Sequence, residues 1–141
     1  VHAVELSPDA YKFSRQNFDR YPGAELLLGD MSDAFNALNG SVSVVVSNPP
    51  YIPNEMVPVY PEVHLFDPKL ALYGGTDGLD VVRVAIAAAD RLLLRGGLVV
   101  IEHADTQSAA VGELLLAEGF IEVRAHKDLN NKDRAVSARK G

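Results

Sequence analysis

The chain has 141 residues, 48% hydrophobic and 23% charged, with a net charge of −6; this suits one domain or a piece of one and excludes a disordered chain or a fibrous repeat. With no cysteine, disulfide scaffolds, thiolate metal sites and cysteine nucleophiles are excluded. No apolar run approaches the ~18 residues of a membrane span and no basic-then-apolar signal opens the chain, so the sequence predicts a soluble, cytoplasmic domain with no membrane partner.

The charge is unevenly spread. Arg124, Lys127, Lys132, Arg134, Arg139 and Lys140 meet only Asp128 and Asp133 over the last 18 residues, leaving +4 there and −10 on the first 123. A body that acidic repels a phosphate backbone, which argues against nucleic acid as a partner. The basic end reads either as a solvated edge or as a contact surface for an acidic partner.

Strand and helix alternate, the pattern of an α/β sheet with mostly parallel strands. Residues 1–5 (VHAVE) read as a strand. Ser7-Pro8-Asp9 starts a helix: Ser as N-cap, Pro at the first helical position, Asp favoured by the helix dipole. Pro22-Gly23 stops it near Tyr21. A second strand is predicted over 24–28, ending at Gly29-Asp30, with a short helix over 32–38. Residues 41–47 (SVSVVVS) are β-prone and run straight into Asn48-Pro49-Pro50-Tyr51. From Ile52 to Gly78 the chain reads as a long, proline-rich, irregular loop, and loops of that length usually serve function.

Beyond it, Leu79, Val82, Ile86, Ala89 and Leu93 recur at helical spacing and predict a buried helical face. Gly96-Gly97 is expected to end that helix before a buried strand over 98–101. A further helix is predicted over 106–118, closed by Gly119. The last elements predicted are strands over 120–125 and 135–139, an antiparallel pair around Asn130-Asn131-Lys132. The chain opens inside a strand, as a fragment whose N-terminal portion lies elsewhere would.

Asn48-Pro49-Pro50-Tyr51 is the most informative stretch. It comes after a predicted buried strand, and open α/β sheets bind ligands at the carboxyl ends of their strands. Asn48 precedes a proline and is pushed out of the helical region. Pro49 and Pro50 have fixed φ and no N–H, so they offer only carbonyl acceptors. An asparagine oxygen and a nearby proline carbonyl can together accept both hydrogens of a planar –NH₂ group, and Tyr51 can cover its flat face. The plainer reading is a strand-terminating turn.

Glu5, at a strand end, can accept from both ribose hydroxyls of a nucleotide-like cofactor. Asp30, at the next strand end, can accept from an adenine amino group. Taken singly, the first also reads as a solvated residue and the second as a turn or cap aspartate. Glu102 at a later strand end suits either a ligand-lining or a structural role. His2, His64, His103 and His126 show no metal-ligand spacing, so no metal is expected. Gly74-Gly75 with Asp77-Gly78 lacks the following Lys-Ser/Thr of a phosphate loop and reads as a turn and helix start.

Glu5, Gly29-Asp30, Asn48-Pro49-Pro50-Tyr51-Ile52, Phe66-Asp67-Pro68 with Ala71-Leu72, Gly74-Gly75-x-Asp77-Gly78-Leu79, Arg83, Gly96-Gly97, Glu102-His103, Gln107 and Asp133-Arg134 together resemble the HemK/PrmC-type release-factor glutamine methyltransferases. The resemblance covers essentially the whole chain. The Asn-Pro-Pro-Tyr motif is shared with enzymes that methylate amino groups of DNA and RNA, and the Gly-Gly-x-Asp-Gly-Leu block makes the narrower match. What it implies is a Rossmann-like class I α/β sheet with a C-terminal antiparallel strand pair, truncated at the N-terminus. Residues 1–141 would then be a partial S-adenosylmethionine-dependent methyltransferase domain without its first strand and glycine-rich loop.

The implied reaction is methyl transfer to the glutamine side-chain amide in the Gly-Gly-Gln motif of peptide chain release factors. By this likeness Glu5 holds the ribose hydroxyls, Asp30 and Met31 flank the adenine, and Asn48, Pro49, Pro50 and Tyr51 hold the glutamine amide, with Asn48 also beside the cofactor. Asp67 stands where the family has Glu, a departure confined to the loop. Two rival readings stay open. One is an amino-methyltransferase acting on adenine or cytosine. The other is a silent fragment that persists as a folded or dimerised scaffold, because the first strand it lacks would sit between the strands at 1–5 and 41–47 and leave two edges bare.

Overall fold

A computed structural model describes residues 1–58 and 60–141, which divide into two compact units, Val1–Ala37 and Leu38–Gly141. In the first unit, β1 (His2–Glu5) pairs in parallel with β2 (Glu25–Leu28), Glu5 opposite Leu28. Helix α1 (Pro8–Phe18) connects them, and the Ser7 hydroxyl accepts the Ala10 N–H at 3.3 Å as the expected N-cap. The helix ends three residues before the predicted stop. It buries none of its residues, so no core contact holds its last turn. The chain instead leaves through tight turns ending at Gly23, where φ is +91°.

The short helix predicted over 32–38 does not form as such. Asp30 takes the Ser32 N–H on its side chain at 2.8 Å, and Phe35 adopts φ +57°. The Asp30 carbonyl still accepts the Ala34 N–H at 3.0 Å, but the positive φ at Phe35 breaks helical geometry, and only a 3₁₀ turn remains at Asn36–Leu38.

The second unit carries a four-stranded sheet in the order β3-β4-β6-β5. Its strands are β3 (Val42–Ser47), β4 (Leu93–Glu102), β5 (Phe120–Lys127) and β6 (Asp133–Lys140). β3 and β4 run parallel, with β6 antiparallel to both β4 and β5, so the expected C-terminal antiparallel pair is present. Helix α4 (Asp80–Leu92) crosses between β3 and β4, and α5 (Ser108–Ala117) precedes β5. The helical face read from the sequence is the core: Leu79, Val82, Ile86, Ala89 and Leu93 are all buried. They pack with Val99, Ile101, Val111, Leu115, Phe120, Val136 and Ala138.

Two expectations are corrected. β4 begins at Leu93, directly after the helix, because the fully buried Leu93 is drawn into register with Val42. Gly96-Gly97 therefore lies within the strand, as an irregularity where Gly96 takes φ +78° and the register shifts. The loop over 52–78 also holds two short helices, α2 (Pro61–Phe66) and α3 (Lys69–Leu72). Prolines that look like breakers in the sequence act here as starters, Pro61 in the first turn and Pro68 at the N-cap. Most of the basic side chains near the C-terminus are paired within the fold: Lys132 with Asp105 at 3.1 Å, Arg134 with Asp128 at 3.4 Å, Arg139 with Glu122 at 3.6 Å and Lys140 with Asp90 at 3.3 Å. The basic end is a laced edge rather than an open patch.

Candidate active site

In the first unit, Glu5 and Asp30 stand at the carboxyl ends of neighbouring parallel strands. The Gly29 N–H donates to the Glu5 carbonyl at 3.0 Å, which holds the two ends together. Each carboxylate is oriented by a nearby backbone N–H: Glu5 Oε1 accepts from Ser7 at 2.8 Å, and Asp30 Oδ1 accepts from Ser32 at 2.8 Å. The Ser32 bonds hold the Asp30 carboxyl below the usual range, against a small opposing effect of burial. Glu5 Oε2 has no partner among the described residues, whereas the Asp30 carboxylate is also bonded by the Ser32 side chain. Met31 comes next in the chain, half-buried.

In the second unit, β3 delivers Asn48 to the end of the sheet, where its side chain is exposed and makes no hydrogen bond to a described residue. Pro49 is buried, and Pro50 and Tyr51 are half-buried. No backbone N–H of a described residue reaches the Pro49 carbonyl. The corner thus presents two uncommitted acceptors in succession, the Asn48 amide oxygen and the Pro49 carbonyl.

The chain beyond the corner is tightly tied. The Ile52 N–H donates to Leu72 at 2.9 Å, and the Gly74 N–H donates back to Ile52 at 2.9 Å. The Gly74-Gly75-x-Asp77-Gly78 segment, read from sequence as a turn, is also the floor of this corner. A Cβ on Gly74 would stand 2.5 Å from the Pro50 carbonyl, and one on Gly78, where φ is +77°, 2.3 Å from the Tyr51 carbonyl. No larger residue lets these backbones approach so closely.

Asp77 shapes that floor. It accepts the Leu79 N–H at 2.9 Å and pairs with Arg83 at 2.6 Å. The hydrogen bond from Arg83, with that from Leu79, pulls its carboxyl down to about 2.

Three links escaped sequence reading because they join residues more than 50 positions apart, where no periodicity marks them. The Tyr51 hydroxyl donates to Glu102 Oε1 at 3.5 Å, giving Glu102 a structural part. Burial depresses Arg134, but its bonds to Asp128 and its proximity to Tyr51 raise it above the ordinary arginine value. Gln107, buried, donates from Nε2 to the Tyr51 carbonyl at 2.9 Å. The fully buried His103 directs Nδ1 at the Ala104 carbonyl, 2.7 Å away. That oxygen only accepts, so Nδ1 carries the proton, and Nε2 has no partner among the described residues. Among these residues no group of three His, Asp or Glu side chains could hold a metal ion, and no helix is long and apolar enough to cross a membrane.

No family model matches the chain. It is 49% identical over 142 aligned positions to the release factor glutamine methyltransferase of Streptomyces coelicolor, covering 99% of this chain and 50% of that protein. It is 44% identical over 119 positions to the 4-amino-L-phenylalanine/4-methylamino-L-phenylalanine methyltransferase of Streptomyces pristinaespiralis, covering 84% of this chain and 40% of that one. The crystal structure of a methyltransferase from Pyrococcus furiosus matches all of this chain and 62% of its own, with a TM-score of 0.69 at 20% identity. The sheet and its helices thus share the Rossmann-like fold of that methyltransferase structure.

The chain spans about half the length of the curated relatives it matches. Within the methyltransferases it belongs to the release factor glutamine methyltransferase family.

Proposed function

We propose that the whole protein is a cytoplasmic enzyme that transfers a methyl group from S-adenosylmethionine to the glutamine side-chain amide of the Gly-Gly-Gln motif in peptide chain release factors. The observation that carries this is the pair of open acceptors at Asn48 and Pro49, where the chain leaves β3. An amide nitrogen is a poor nucleophile because its lone pair is delocalised. Asn48 Oδ1 and the Pro49 carbonyl accept its two N–H groups, fix the nitrogen, and stabilise positive charge as it develops there. Positioning of this kind is worth up to ~7–11 kcal/mol.

Pro50 and the Tyr51 ring border the amide, and an aromatic face near a cation adds ~0.5–2 kcal/mol. The carboxylates of Glu5 and Asp30 suit the ribose hydroxyls and the adenine amine, with Met31 against the base. When bound, S-adenosylmethionine supplies a methyl group already activated on a sulfonium. The amide nitrogen forms the new N–C bond as the C–S bond breaks, then releases a proton to solvent. No residue needs to remove that proton beforehand.

A nucleic-acid acceptor is disfavoured by charge: no Lys or Arg occurs from 21 to 68, a stretch holding six acidic residues and the Asn48 corner. The similarity to the 4-amino-L-phenylalanine enzyme favours a second reading, an arylamine acceptor. Methyl transfer by the full-length protein, measured in parallel on a release factor, an oligonucleotide and 4-amino-L-phenylalanine, separates these. Transfer to the release factor alone is expected. Asn48→Ala is expected to lower that turnover about 10²-fold or more, the scale of one lost transition-state contact, with S-adenosylmethionine affinity kept within a few-fold. Full turnover in Asn48→Ala would contradict the assignment.

A further inference from the structure

We infer that Gln107 is the positioning residue of the acceptor corner: its side-chain amide fixes the Tyr51 carbonyl and thereby the placement of Asn48 and Pro49. Pro49 and Pro50 contribute no N–H, so the corner has few donors of its own with which to anchor itself. Its bracing comes from outside. Gln107 Nε2 donates to the Tyr51 carbonyl at 2.9 Å while Oε1 accepts the Ala104 N–H at 3.0 Å. An N–H on one side and a carbonyl on the other leave only one orientation for the amide. The Ala104 peptide is held in turn, its carbonyl accepting from His103 Nδ1 at 2.7 Å and from the Gln107 N–H at 2.9 Å. A continuous path thus runs from the end of β4 through Ala104 and Gln107 to the corner.

Two further observations single out this role. Gln107 occupies the N-cap position of α5, yet its side chain makes no cap hydrogen bond to the helix. The residues that cap well are Ser, Thr, Asp and Asn, so helix capping does not account for a glutamine turned away from the helix and buried. Gly78 makes room for it: a Cβ there would meet Gln107 Nε2 at 2.9 Å as well as the Tyr51 carbonyl.

The activity arm of the test rests on the reading given under Proposed function, and a second arm is independent of it. In the full-length protein, Gln107→Glu keeps the acceptor for Ala104 and replaces the donor to Tyr51 with an acceptor. Gln107→Ser supplies a good N-cap for α5 and cannot reach the Tyr51 carbonyl. Hydrogen exchange of the peptide covering 48–53 is expected to speed up about tenfold in both variants, reporting local opening, with β5 and β6 unchanged. Release-factor kcat is expected to fall about 10–100-fold, the scale of a misplacement near 1 Å, with S-adenosylmethionine affinity within about twofold.

Unchanged exchange overturns the inference, as does faster exchange with unchanged kcat. A loss of kcat matched by equal losses of cofactor affinity and global stability overturns it too. If the wild type methylates no release factor, the functional reading fails, and exchange at 48–53 alone decides for or against Gln107.

Discussion

Asn48 owes its availability to the two prolines after it. They carry the chain away from the sheet without offering N–H groups that would fold back on the asparagine, and its amide stays free. The Pro50 and Tyr51 carbonyls that follow it lie against Gly74 and Gly78, so the residue types there are set by contact distance rather than charge. The Asp77–Arg83 pair adds a pH-dependent element. Because the folded Asp77 carboxyl is pulled from 3.8 to about 2, the stability it contributes is present above pH 3.8 and lost as pH falls toward 2. Asp77→Asn is expected to flatten the loss of thermal stability between those two pH values, and an unchanged acid limb would show the pair to be idle. The identities of Glu5, Asp30, Asn48 and Tyr51 as candidates were legible because each stands at a strand end beside turn-forming residues. The partners of Tyr51 were not, since Glu102, Gln107 and Arg134 reach it only through tertiary folding.

At the scale of elements, α4 carries the core, and its periodicity alone located it. Leu93→Ala, at a position with 0% exposure, is expected to cost about 2–5 kcal/mol in denaturant unfolding; a change under about 1 kcal/mol would mean the site collapses without a cavity. Gly78→Ala combines a positive φ with a Cβ 2.3 Å from a carbonyl, and is expected to cost at least ~1–3 kcal/mol and to disturb the corner. Where sequence reading failed, local side chains had overridden the periodic signal. Phe35 took a positive φ and cut the predicted helix to a single 3₁₀ turn. Pro61 and Pro68 started helices in a stretch whose composition resembled a loop. Burial of Leu93 drew residues expected to be helical into the sheet.

At the scale of the molecule, both sheets have open edges. Among the described residues β1 pairs only with β2, and β3 is an edge strand whose Val44 and Val46 are 51% and 72% exposed. Open apolar edges of this kind template pairing with another chain. The 141-residue chain expressed alone is therefore expected to self-associate in light scattering, and Val46→Lys to reduce that association. A monodisperse monomer would contradict this. The alternation of strand and helix and the final antiparallel pair were legible from hydrophobic pattern. The division into two compact units was not, because it arises from tertiary contacts that no linker composition announces.

The central claim is that the corner at Asn48 and Pro49 grips an acceptor nitrogen by both of its hydrogens. A crystal structure of the full-length protein with S-adenosylhomocysteine and a Gly-Gly-Gln-containing release factor measures this directly. The glutamine side-chain nitrogen is expected within about 2.7–3.2 Å of both Asn48 Oδ1 and the Pro49 carbonyl oxygen. A glutamine seated elsewhere, or held by neither of these acceptors, would contradict it.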